Sequence, residues 1–265
     1  MANRGRGRET VSALVITVNE ERNIRDCLAS LAFADEIVVV DSGSTDGTAA
    51  IARREFGAAV FVNPWPGYGA QKNFGLDRAT GDWVLIVDAD ERVTEELRTE
   101  IQRVLSGGAG RGVQAFRIPR KNFQYGRWIA HGGAYPDWQI RLVRRGSARY
   151  NDVEVHENLL VEGEVGSLRS PFLHFSERST SERIEKLNRY TTLSGRERRK
   201  RWKGRVGWSH FVLHPLATFF KFYVVKRGYR DGVPGFIYAV TGGAYTFLKY
   251  AKLEEGEAER GKEAG

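Results

Sequence analysis

The chain has 265 residues, 41% of them hydrophobic, and a formal net charge of +8. That is enough apolar material for one large domain with an appendage, and too much for a disordered tail. A single cysteine, Cys27, excludes an internal disulfide framework and suits a reducing compartment, while the basic balance admits nucleic acid, anionic lipid or a phosphorylated substrate as partner.

Residues 1–9 read as a basic lead-in. No apolar signal core follows, because VSALVITV runs straight into NEERN. VSALVITV is a short β-branched run, ERNIRDCLASL carries Ile24, Leu28 and Leu31 at helical spacing, and EIVVVD is apolar again, which makes a β-α-β unit. A helix over TAAIARREF, a strand AAVFV, a helix from Tyr68 to Ala79 and the strand DWVLIVD extend the alternation. Strands apolar on both faces predict an α/β fold with a mostly parallel sheet covered by helices. A helix near Thr94 to Leu105 leads to the loop SGGAGRG, after which VQAFRIPRKNF, WQIRLVRRG, ARYNDVEVHENLLVEG and SLRSPFLHF predict short, more antiparallel strands.

From Ser179 the pattern turns helical. RERRKRWKGR, Arg196 to Arg205, concentrates positive charge ahead of an aromatic stretch that His210, His214, Pro215 and Lys221 interrupt. It falls short of the roughly 20 clean apolar residues of a spanning helix. Two readings stay open for it: a helix lying in an anionic membrane interface, or one packed under the catalytic domain.

In an open parallel sheet, ligands bind beyond the carboxyl ends of the strands. TVNEE, DSGSTDG and DADE sit at three such ends. Asp41 can accept hydrogen bonds from a base or ribose, with Gly43 and Gly47 allowing tight turns beside a ligand; Ser44, Thr45 or Asp46 can equally cap the following helix. A D-x-D such as Asp88–Asp90 is expected about once by chance in this length. Its position gives it weight, since paired carboxylates facing another acid suit a hard cation that also binds a diphosphate. No G-x-G-x-x-G follows the first strand and no G-x-x-x-x-G-K-S/T occurs, which disfavours dinucleotide and P-loop readings.

With VITVNEERNIRDCLASL, EIVVVDSGSTDGT, YGAQKNFGLDRATGDWVLIVDADE and PRKNF…GRWI…YPDWQIRL…VHE in this order, the chain resembles family-2 glycosyltransferases of the GT-A fold, and within them the lipopolysaccharide core-type β-glycosyltransferases of Gram-negative bacteria. The resemblance runs from about Ser12 to Leu253. It implies a GT-A catalytic domain over 10–178; the charge and aromatic pattern adds a helical membrane-facing region over 179–254, and composition a disordered charged tail over 255–265. The implied activity is inverting transfer of a sugar, glucose first, from a UDP-linked donor to a lipid-linked glycan such as the lipopolysaccharide inner core. The enzyme would work on the cytoplasmic side, peripheral on the inner membrane.

By resemblance Thr17, Asn19, Glu20, Asp41, Ser42, Lys72, Asn73, Asp88 and Arg141 bind the nucleotide sugar. Asp90, Asp88 and His156 hold Mg²⁺ or Mn²⁺, and Asp137 is the base, although Pro136 replaces the acid usual before it. On the residues alone, Asp137 also reads as a turn residue, Arg141 as a strand-end charge and His156 as structural; His131 and His174 are left as structural or acceptor-side. Arg117, Arg120, Lys121 and Arg127, mixed with Phe123, Tyr125 and Trp128, form either an acceptor surface or a basic loop. A polyprenyl-phosphate glycosyltransferase is the alternative within the enzyme class, and a catalytically dead scaffold would not need these acids together. A nucleic-acid-binding module is set aside, because it gives the acidic clusters no role.

Overall fold

The computed structural model describes residues 8–108, 112–151, 158–202 and 204–263. They form two compact units, Met1–Arg120 with Trp138–His174, and Lys121–Asp137 with Phe175–Gly265.

The first unit opens with β1 (Val11–Thr17), α1 (Glu21–Ser30), β2 (Glu36–Asp41), α2 (Thr48–Phe56), β3 (Ala59–Val62), α3 (Tyr68–Leu76) and β4 (Trp83–Asp88). β5 (Glu91–Val93) and α4 (Glu95–Arg103) follow, then β6 (Val113–Gln124), β8 (Asp137–Arg144), β9 (Ala148–Tyr150), β10 (Leu159–Val161), β11 (Glu164–Ser167) and β12 (Phe172–Glu177). The hairpin strand β7 (Arg127–Trp128) belongs to the second unit. The main sheet runs β3-β2-β1-β4-β8-β6-β12-β5, with β11 also pairing β6, while β9 and β10 form a separate antiparallel pair. β1, β2, β3 and β4 are parallel; β8 runs antiparallel to β4, and β5 antiparallel to β12. This is the GT-A arrangement of a wound parallel half with a smaller antiparallel portion.

Both faces of the central strands are buried, as their unbroken β-branched sequences require. Val11, Ala13 and Val15 share one core with Val39, Leu85, Val87 and the inner sides of α1, α2 and α4. Leu14 and Ile16 share the other with Val38, Val40, Ile86 and residues of α3. α3 lies close over β1 because Gly75 has no side chain: a Cβ there would stand 2.2 Å from Leu14 Cδ1. Thr94 caps α4 by accepting from the Leu97 amide at 3.2 Å.

In the second unit, residues 123–128 form a hairpin, with Phe123 opposite Trp128 and Gln124 opposite Arg127. Its two-residue turn, Tyr125–Gly126, has positive φ at both positions, the geometry that matches strand twist. The helices are α5 (Thr180–Arg201), α6 (Trp208–Phe211), α7 (Leu213–Phe220) and α8 (Gly232–Glu263), with a π-helical turn Lys221–Val225 and a 3₁₀ turn Gly228–Asp231 before α8. α5 and α8 are joined by Ser194 Oγ and Tyr245 Oη at 2.6 Å and by Lys252 Nζ donating to Asn188. α8 is assigned as far as Glu263. Among the described residues no helix is long and apolar enough to cross a membrane.

Candidate active site

The carboxyl ends of β2, β1 and β4 lie side by side, and each carries predicted site residues. Thr17 pairs in register with Asp41, and Ile16 with Asp88. Asp41 therefore shares a sheet face with Thr17, while Asp88 leaves its strand on the other face. A ligand touching both acids must cross the strand-end edge.

The β1 and β2 ends are cross-linked. Asp41, nearly fully buried, accepts from the Ser44 amide at 3.0 Å and from the Ser44 hydroxyl. Ser44 Oγ in turn accepts from the Asn19 amide at 2.9 Å, and Asn19 Oδ1 accepts from the Thr45 amide at 2.8 Å. Asn19 holds a left-handed φ of 53° in this tie. Glu20 donates its amide to Thr48 Oγ1 at 2.8 Å and its carboxylate accepts from Asn23 at 2.7 Å. Of the three residues read as possible caps, Asp46 serves α2 by accepting from the Thr48 amide at 3.0 Å, whereas Ser44 and Thr45 bind β1-end groups. Thr17 Oγ1 is buried and has no hydrogen-bond partner, an uncommon cost for a hydroxyl and an acceptor and donor left for a ligand. Ser42 Oγ accepts from Gln71 at 2.9 Å, which links the β2 end to α3.

The β4 end forms a second group. Arg141 donates to Asp88 at 2.5 Å and to Glu91 at 2.9 Å; Arg120 donates to Glu91 at 3.2 Å and stands 3.9 Å from Asp88, and Lys72 stands 3.8 Å from Asp88. Burial raises the Asp88 pKa, but Arg141, Lys72 and Arg120 outweigh it and hold the carboxyl well below the usual carboxylate range. Burial likewise opposes the charge on Arg141, and Asp88 and Glu91 overcome it, raising its pKa further. Arg141 Nε is buried without a partner. Arg141, Arg120 and Lys72 gather around Asp88 and Glu91, which sets cationic side chains, the type that pairs with phosphate, at the strand ends. Asn73 has a different task, its amide exchanging two 2.9 Å hydrogen bonds with the Tyr150 backbone to dock α3 on β9.

Asp90 Oδ2 lies 3.3 Å from His174 Nε2, an approach set by β12 pairing β5 with His174 opposite Glu91. A carboxylate oxygen and an imidazole nitrogen converging this way suit a first-row divalent cation such as Mn²⁺. Asp88, already neutralised by Arg141, suits a ribose contact better than a metal bond. His174, which the sequence leaves as structural or acceptor-side, is thus the ligand candidate that sequence reasoning missed; its only signal is a polar residue within the apolar FLHF strand. His156 lies outside the described residues, and among those described no group of three or more His, Cys, Asp or Glu is gathered.

Asp137 belongs to the second unit, at the head of β8, where Asn122 Nδ2 donates to its carboxylate at 3.4 Å. In the same unit Lys121 Nζ stands 4.8 Å from the Trp128 ring centroid, on the hairpin whose tryptophan is exposed. Arg117, expected with this group, instead donates to Ser167 at 2.7 Å in the first unit.

Residues 12–157 match the family model described as glycosyl transferase family 2. A lipopolysaccharide core biosynthesis glycosyltransferase, LpsC of Rhizobium meliloti, is 35% identical over 254 residues, 94% of this chain and 93% of the relative. An uncharacterized glycosyltransferase of Rickettsia felis is 30% identical over 261 residues, covering 93% of this chain and 90% of that one. Among solved structures, S. aureus TarS 1-349 in complex with UDP-GlcNAc covers 94% of this chain and 92% of its own, at 16% identity and a TM-score of 0.48. Glucosyl-3-phosphoglycerate synthase from Mycobacterium tuberculosis, in complex with Mn²⁺, UDP and glucosyl-3-phosphoglycerate, matches 44% of each chain at 28% identity and a TM-score of 0.35. The chain belongs to glycosyl transferase family 2.

Proposed function

We propose that this glycosyltransferase moves glucose from UDP-glucose, with inversion, onto a sugar hydroxyl of a lipid-linked glycan of the lipopolysaccharide inner-core type, at the cytoplasmic face of a membrane. One observation carries the donor half of the reading: polar groups of Thr17, Asp41, Asp88 and Asp90 come from the ends of three separate strands to one sheet edge, beside a cationic cluster, and the Thr17 hydroxyl is buried without a partner. The acceptor class rests on the likeness to LpsC across nearly the whole chain.

In this reading Thr17, Asn19 and Asp41 hold the nucleoside and Asp88 the ribose. Asp90 and His174 would hold the divalent cation, Mn²⁺ by the donor set, which when bound supplies positive charge at the diphosphate. Lys72, Arg120 and Arg141 steady the same phosphates as negative charge develops on them. The acceptor oxygen bonds to C1 from the face opposite the diphosphate, and the C1–O bond breaks with its electron pair leaving on UDP. The acceptor proton passes to the Asp137 carboxylate.

Incubation with UDP-glucose, Mn²⁺ and a deacylated inner-core acceptor tests the reading by mass spectrometry and NMR. One added hexose in β linkage is expected. Hexose appearing only on a polyprenyl phosphate would replace this function with the alternative acceptor class.

A further inference from the structure

The second unit turns two apolar stripes outward. In α7 and the π-helical turn after it, Leu213, Leu216, Phe220 and Val224 recur at helical spacing and are all exposed, Leu213 by 62% and Leu216 by 60%. In α8 the same holds for Val233, Phe236, Val240 and Phe247, with Val233 71% exposed. An amphipathic helix in a water-soluble body normally buries such a stripe. The helices already pack on each other by other contacts: Phe219 meets Phe236 with ring centroids 5.8 Å apart, and bare Gly243 sits against the Pro215 carbonyl. The two stripes make one surface, because an open groove of about 360 Å³ runs between α7 and α8, walled by Leu216, Phe219, Val240, Ala244 and Phe247. That is an apolar patch of the kind that marks an interaction site.

The surrounding charge selects the partner. Between Gly204 and Leu253 the one acid is Asp231, and it is taken up by His131, Nδ1 to Oδ1 at 2.7 Å. Lys221, Lys226, Arg227 and Arg230 are exposed beside the stripes, and the exposed aromatics Trp208 and Tyr229 flank α7 in the chain. A second copy seated on this face would bring like charges together. An anionic bilayer instead matches the cations with headgroups, the aromatics with the headgroup boundary and the stripes with hydrocarbon. In the basic run on which the sequence reading placed the anchor, Arg198 lies over Trp202 and Tyr250 and Arg199 donates to the Lys252 carbonyl at 3.0 Å, both half-buried, whereas Arg196 and Arg205 are exposed.

We propose that the exposed α7–α8 face docks on an anionic phospholipid bilayer, with hydrocarbon entering the groove between the two helices. This deepens the functional reading, on which it rests for the lipid-linked acceptor. The test is flotation of the full chain with phosphatidylcholine vesicles, with and without phosphatidylglycerol. The wild type floats with the anionic vesicles and loses binding as salt rises, each surface cation contributing about fivefold. The double variant Leu216→Glu/Phe220→Glu binds at least about tenfold less, by the apolar area it withholds. Its melting temperature stays near wild type, because both side chains are exposed. Lys221→Glu/Arg230→Glu, which leaves the stripes intact, loses the preference for anionic vesicles. Variants that float like the wild type, or a wild type indifferent to anionic vesicles, would overturn the proposal. So would dimerisation that the apolar variant abolishes without any flotation, which assigns the face to a second copy. Transfer to the deacylated acceptor stays unchanged in both variants. A protein that floats but transfers nothing supports the docking face and removes the functional reading.

Discussion

Asp88 and Asp90 are two residues apart and meet opposite surroundings, which is why the proposed function gives them separate roles. Asp88 faces Arg141, Lys72 and Arg120, and Asp90 faces His174. Because the folded Asp88 pKa lies well below the ordinary value near ~3.9, its contribution is fully present above that value and is lost only as pH falls through the folded pKa. Asp88→Asn should therefore cost about 2 kcal/mol in urea denaturation equally at pH 7 and pH 5, with the difference from wild type shrinking only below about pH 4. His174→Ala should raise the Mn²⁺ concentration needed for half-maximal transfer, with activity recovering at excess metal; an unchanged metal dependence would remove His174 from the site. Asp137→Asn should lower kcat by about 10²–10⁴ while the KM for donor barely moves, and normal turnover would dismiss it as the base.

Among the elements, the parallel half was legible from sequence because its central strands β1, β2 and β4 are buried apolar runs, two of which end in acids at the turn. Ile37 to Val40 and Trp83 to Val87 are unbroken apolar runs that end at Asp41 and Asp88 on the ligand edge. β5 was not legible: Glu91–Val93 is three residues with an arginine in the middle, and it exists only through pairing with β12 some eighty residues later. The Asp90–His174 approach depends on that pairing, so it was invisible for the same reason. Local signals likewise could not show that Asn73 docks α3 on β9, or that Arg120 turns to Glu91. The close seat of α3 on β1 makes its own prediction. Gly75→Val would drive a branched side chain into Leu14 and should destabilise by about 1–3 kcal/mol or more, read by chemical denaturation; a neutral result would mean that α3 can lift from the strand.

For the whole molecule, net charge alone left nucleic acid, lipid and phosphorylated substrates open, and the distribution of charge sorts them. Arg141, Arg120 and Lys72 are drawn into a carboxylate cluster at the strand ends, whereas Lys221, Lys226, Arg227 and Arg230 are exposed beside hydrophobic side chains that are also exposed. The central claim concerns the first set: the edge formed by β2, β1 and β4 holds a UDP-sugar together with a divalent cation. Thermal unfolding of wild type, Asp41→Asn and Asp90→Asn, with UDP-glucose in the presence and absence of Mn²⁺, tests it most directly. At ligand near a hundred times Kd the wild type should gain about 5–10 °C only when both are present. Asp90→Asn should lose this metal-dependent gain, and Asp41→Asn most of it. Equal protection of all three proteins, or none for the wild type, would contradict the account.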